Sequence, residues 1–186
     1  MPHYFSSGET SDEISEELRA WLRLSLEPEL APAQARQLLA ACGLPPQIYQ
    51  SSVQTLSRHI PTELAVQLSQ EPLDELKAQI EQAVEWLKQP NHHVVTLADP
   101  TYPASLLDLH DAPLLLYANG DLGVLQRKGL AIVGARNATQ SGQETATDFA
   151  ATLASRGWCI ISGLASGIDQ AAHKGALKAG PPSAGT

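Results

Sequence analysis

Apolar residues recur at helical spacing through the first half of the chain and gather into short uniform runs in the second. Leu18, Trp21, Leu22 and Leu26 share one helical face, as do Ala35, Leu38 and Leu39. Gly43, followed by Pro45-Pro46, reads as a helix stop. Short amphipathic pieces follow around Ile48–His59 and Thr62–Leu68, so residues 14–70 predict a small all-helical domain. The clearest helix covers residues 73–88. Its stripe is Leu73, Leu76, Ile80, Ala83, Val84 and Leu87, and Gln89-Pro90-Asn91 closes it. Next come a short strand at His93–Leu97, a turn at Asp99-Pro100-Thr101-Tyr102-Pro103, an apolar run at Leu114–Tyr117 and a second turn at Asn119-Gly120-Asp121. Residues 71–128 thus read as a helix plus an extension, while residues 1–13, polar apart from Tyr4-Phe5, read as a disordered tail.

From residue 129 the pattern changes. Leu130-Ala131-Ile132-Val133 is uniformly apolar and ends at Gly134, as a strand buried on both faces of a parallel sheet would. Gly134-Ala135-Arg136-Asn137-Ala138-Thr139-Gln140-Ser141-Gly142 leads into a helix, with Ser141 and Glu144 spaced as a capping box. Phe149, Ala150, Leu153 and Ala154 predict the buried face of that helix, and Gly157 its left-handed end. The unit then repeats. Trp158-Cys159-Ile160-Ile161 is a strand, Ser162-Gly163-Leu164-Ala165-Ser166-Gly167 a loop, and a second helix runs from about Ile168 to Leu177. Residues 129–180 are therefore expected to form the beginning of a Rossmann-like α/β domain, with both loops at the carboxyl edge of neighbouring strands.

Glycines there let backbone amides and helix N-termini approach an anion, and Arg136 adds a planar fork of donors for a phosphate oxygen. No Gly-Lys-Ser/Thr follows the first loop, and GxGxxG is absent. Neither a Walker-type loop nor an ordinary dinucleotide site is indicated.

Composition sharpens this picture in three places. Hydrophobic residues make up 43% and charged residues 17%, enough apolar content for a packed core. The net charge of −8 is unevenly spread: residues 1–126 hold 6 Lys/Arg against 17 Asp/Glu, whereas residues 127–186 hold 6 against 3. A polyanion should meet the C-terminal third. No apolar run approaches the roughly 20 residues that span a bilayer, and the two cysteines, Cys42 and Cys159, lack zinc spacing, so a cytoplasmic protein with reduced thiols is expected. His92-His93 has no third ligand nearby in sequence and is read as packing, not metal binding. The first helical connection, Leu26-Glu27-Pro28-Glu29-Leu30-Ala31, lacks the glycines of a DNA-binding hairpin and carries two carboxylates. The helical domain is therefore read as a packing or protein-contact module.

Ala131-Ile132-Val133-Gly134-Ala135-Arg136, then Ser162-Gly163-Leu164-Ala165-Ser166-Gly167-Ile168-Asp169 and Ala171-Ala172-His173, resemble the signature of the DNA-processing protein A (DprA/Smf) family. A second block matches as well: Asp99, Tyr102-Pro103, Leu106, Pro113, Leu116-Tyr117 and Gly120-Asp121. The helical domain looks like that family's sterile-alpha-motif-like or helix-hairpin-helix-like N-terminal part. The resemblance implies a non-enzymatic single-stranded-DNA-binding protein of natural transformation, which protects incoming strands and loads a RecA-type recombinase. It also implies homodimers in full-length members and a phosphate-binding pocket drawing on Gly134, Arg136, Ser162, Gly163 and Gly167. Asp169 and His173 fall in the motif but are read first as a helix cap and a packed or hydrogen-bonded histidine. No cofactor, metal or catalytic residue is assigned.

The family pattern continues with a further strand where this chain has Lys178-Ala179-Gly180-Pro181-Pro182. Two prolines do not fit a central strand. The expectation is a member truncated within its Rossmann-like domain, with residues 181–186 foreign to the fold. The rival reading is a nucleotide-binding enzyme or sensor of phosphoribohydrolase type. It would call for a Pro-Gly-Gly-x-Gly-Thr run, which the chain lacks.

Overall fold

In the computed structural model, which describes residues 5–6 and 16–180, the helical spacing of the first half becomes six helices. α1 (Glu16–Leu26) starts with two acids and carries Arg23 in its last turn, both favourable to the helix dipole. It buries Leu18, Trp21, Leu22 and Leu24, with Leu26 at the margin. Pro32 opens α2 (Pro32–Cys42), the Gln34 side chain accepts the Ala31 amide at 3.0 Å, and Gly43 ends the helix at φ 96°. α3 (Pro45–Gln50), α4 (Val53–Leu56, with Ser52 accepting the Thr55 amide) and α5 (Thr62–Ser69) follow. α6 (Asp74–Leu87) buries Leu76, Ile80, Ala83, Val84 and Leu87; Leu73 precedes the first turn and stays exposed.

Three antiparallel strands complete this unit in the order β1 (Phe5–Ser6), β2 (His92–Thr96), β3 (Leu115–Asn119), with a short helix α7 (Ala104–Leu107) between the last two. Phe5 pairs with Val94, and Val94 in turn with Tyr117. Part of the segment expected to be a disordered tail is thus a strand: backbone pairing with β2 is available to any extended segment, whatever its polarity. The rest of residues 1–13 lies outside the described residues, as do residues 181–186. His92 lies flat on Trp86, 4.0 Å between ring centres, with Nδ1 2.8 Å from the Trp86 carbonyl oxygen.

The boundary expected at residue 70 is absent. Leu18, Trp21, Leu22, Leu38, Ile48, Leu64, Ile80, Val84, Val94 and Leu115 belong to one core, and the first unit runs from Met1 to Leu125. The stripe of α6 closes the helical layer because it packs on α1, where Arg19 also pairs with Glu81. The α1–α2 turn is an internal strut. Glu27, 6% exposed, accepts from Arg23 Nε at 3.4 Å and from Gln67 Nε2 at 3.0 Å, while the Arg23 guanidinium sits 4.0 Å over the Tyr49 ring. Leu22 is fully buried here, so Leu22→Ala should cost about 2–5 kcal/mol in denaturant unfolding followed by tryptophan fluorescence.

The second unit, Gln126–Thr186, alternates strand and helix: β4 (Gly129–Ala131), α8 (Gln140–Ala154), β5 (Cys159–Ile161) and α9 (Ile168–Lys178). β4 and β5 are parallel, Leu130 opposite Ile160. Three expectations need correcting. Val133 is 72% and Ile161 56% exposed, not buried on both faces, because among the described residues each strand has a single neighbour. Thr139, not Ser141, caps α8, accepting the Gly142 amide at 3.1 Å. The buried face of α8 is Ala146, Ala150 and Ala154, while Phe149 is 57% exposed. Small residues are favoured on that face because α9 comes so close. A Cβ on Gly175 would lie 2.1 Å from the Thr147 carbonyl oxygen, and Thr147 Oγ1 donates to the Ala171 carbonyl at 3.2 Å. Gly157 ends the helix segment at φ 86°, as its position suggests.

Candidate nucleic-acid interface

Parallel pairing of β4 and β5 puts both glycine loops at the carboxyl edge of the sheet. Past the strands the pairing extends by one bond, Ile132 N–H to the Ile161 carbonyl at 3.0 Å. Beyond it the two loops pack on each other. Gly134 makes room for Ile168, since a Cβ there would sit 2.7 Å from Ile168 Cγ1. The Ile168 amide donates to the Ala135 carbonyl at 3.3 Å. Gly167, at φ 83°, leaves only 2.2 Å between an added Cβ and the Ala135 oxygen, and 2.5 Å to that of Arg136. Glycine at 134 and 167 is what allows the loops to meet.

The five residues expected to hold phosphate therefore lie together, but they are not equally available. The Ser162 hydroxyl donates to the Ile132 carbonyl at 2.7 Å. The Gly163 amide donates to Asp169 Oδ2 at 3.1 Å. Both donors already have partners, so as arranged they fasten the second loop. Arg136 is exposed and takes part in no ion pair among the described residues. Its guanidinium is the available donor fork of the pair of loops.

Asp169 does not cap α9 as expected: Gly167 holds the N-cap position with no side-chain cap, and the Asp169 carboxylate instead accepts the loop amide of Gly163. His173 Nε2 lies 3.4 Å from the Ser162 carbonyl oxygen. Leu164 escaped the sequence reading. It holds φ 57°, a conformation uncommon for leucine, and is 81% exposed at the tip of the second loop. Nothing in a single loop leucine signals this beforehand, because the exposure follows from the turn made by its neighbours. Among the described residues no helix is long and apolar enough to cross a membrane.

Residues 93–185, half of the chain, match the family described as DNA recombination-mediator protein A. Protein Smf of Escherichia coli K12 is 41% identical over 117 residues, covering 63% of this chain and 31% of that protein. The DNA processing protein DprA of Bacillus subtilis is 35% identical over 88 residues, 47% of this chain and 30% of that one. The matches therefore span about a third of the length of these curated relatives. The X-ray structure of DNA processing protein A from Streptococcus pneumoniae superposes on 91% of this chain and 56% of its own, with a TM-score of 0.56 and 24% identity, a likeness of fold.

Proposed function

The chain belongs to the DNA recombination-mediator protein A family, and on that premise we propose that its paired glycine loops hold the phosphodiester backbone of single-stranded DNA. The observation that carries this reading is Arg136, an exposed guanidinium outside any described ion pair, on a loop pinned beside a second glycine loop. A guanidinium suits a phosphate oxygen, and fixed loop geometry lowers the ordering cost of binding. The basic balance of residues 127–186 favours a polyanion over this unit. The wider role that follows is protection of incoming single strands in natural transformation and their hand-over to a RecA-type recombinase in the cytoplasm.

The role is one of binding, not catalysis. Ser162, His173 and Asp169 are neighbours, yet they make no nucleophile and base. The Ser162 hydroxyl faces the Ile132 carbonyl, His173 faces the Ser162 carbonyl, and Asp169 holds an amide.

Fluorescence anisotropy with a labelled oligo(dT) and a duplex of equal length tests the reading. With one free guanidinium in the loops, a Kd in the micromolar range is expected, about −8 kcal/mol, with the single strand bound more tightly than the duplex. Equal binding of both, or none at all, would contradict it.

A further inference from the structure

The carbonyl of Ser162 and the amide of Gly163 belong to one peptide plane, and α9 grips both ends of it. Asp169 Oδ2 accepts the amide at 3.1 Å, and His173 Nε2, one helical turn further along, faces the carbonyl oxygen at 3.4 Å. A carbonyl oxygen only accepts, so a hydrogen bond here requires the ring proton on Nε2. Asp169 is 6% exposed, a carboxylate withdrawn from water beside loops read as an anion site. Such a placement is costly unless the charge is hydrogen-bonded, and the Gly163 amide supplies that bond. The Ser162 hydroxyl ties the same residue to the end of β4 through Ile132. Gly163 leaves space for this arrangement, since an added Cβ would be 3.0 Å from Asp169 Oδ2.

We propose that Asp169, assisted by His173, is a positioning residue: it clamps the Ser162–Gly163 peptide and so holds the second loop in the shape that receives the DNA backbone beside Arg136. Asp169 itself touches no phosphate. Without the clamp the peptide plane is free to rotate, and the loop must be ordered again at each binding event. The inference rests on the proposed DNA-binding role and adds the residue that shapes the site.

The test compares the full chain with Asp169→Ala and Asp169→Asn, reading oligo(dT) affinity, its salt dependence and the Gly163 amide resonance by NMR. Asparagine keeps an acceptor for the amide, so Asp169→Asn should bind within about twofold of the parent. Asp169→Ala should move the Gly163 resonance and weaken binding about tenfold, with the slope of log affinity against log salt unchanged because no phosphate contact is lost. Should Asp169→Ala fail to fold, Asp169→Asn decides, since a tenfold loss there would mean the carboxylate acts as more than an acceptor and overturns the clamp. Parent-like affinity of Asp169→Ala, or a reduced salt slope, overturns it too. Absence of binding by the parent chain is separately visible; it removes the DNA-binding reading and the positioning role with it.

Discussion

Arg136→Ala is expected to weaken oligo(dT) binding about tenfold and to reduce the slope of log affinity against log salt by about 0.7, the share of one phosphate contact on a single strand. Two measurable quantities move together because one interaction supplies both. Losing a charge-assisted hydrogen bond weakens the complex, and one fewer counterion is released on binding. Arg136 is exposed and outside any described ion pair, so its removal should leave the melting temperature of the chain nearly unchanged. Arg136→Lys should recover the salt slope while recovering only part of the affinity, since an ammonium keeps the charge and loses the planar fork. Titrations at several salt concentrations decide it: unchanged affinity and slope in Arg136→Ala would remove the residue from the site.

The largest structural effect is expected from Gly167→Ala. The residue sits at φ 83° and ψ −123°, outside the left-handed helical region, where alanine costs about 1–3 kcal/mol for its backbone alone. Its Cβ would also fall 2.2 Å from the Ala135 carbonyl oxygen, backbone that has no flexible end to swing away. The loops would have to part. A loss above about 3 kcal/mol in the stability of the Gln126–Thr186 unit should accompany at least a tenfold fall in DNA affinity. Gly157→Ala is the control for a positive φ without a clash: φ is 86°, but nothing lies within 4 Å of the added carbon. Only the backbone cost, about 1–2 kcal/mol, applies there. Chemical denaturation monitored by circular dichroism separates the two, and equal destabilisation would show that the loop contact does not matter.

Much of the architecture was legible because it rests on local rules. Gly43 ended a helix where a stop was expected, Gly157 took the positive φ expected at the end of α8, the α6 stripe buried all but Leu73, and both strand–loop–helix units fell on the expected segments. What escaped depends on contacts distant in sequence. Phe149 belonged to a fair apolar face, but the close approach of α9 at Gly175 selects alanines and turns the phenyl ring outward. The pairing of Phe5–Ser6 with β2 joins residues almost ninety apart, beyond any pattern in the first thirteen. The missing boundary near residue 70 has the same origin, since a stripe reveals that α6 buries a face but not that α1 receives it. At the site, glycine positions announced the loops. Which donors remain free depended on the Asp169 and Ser162 hydrogen bonds, and those are written only in three dimensions.

The central claim is that the two loops, and not the helical unit, meet single-stranded DNA. Titrating oligo(dT) into the nitrogen-15-labelled chain and following amide resonances tests it directly. The largest shifts should fall on Gly134, Arg136 and the segment from Ser162 to Gly167, with the helices between residues 16 and 69 little changed. Shifts confined to those helices, or none anywhere at saturating DNA, would contradict the account.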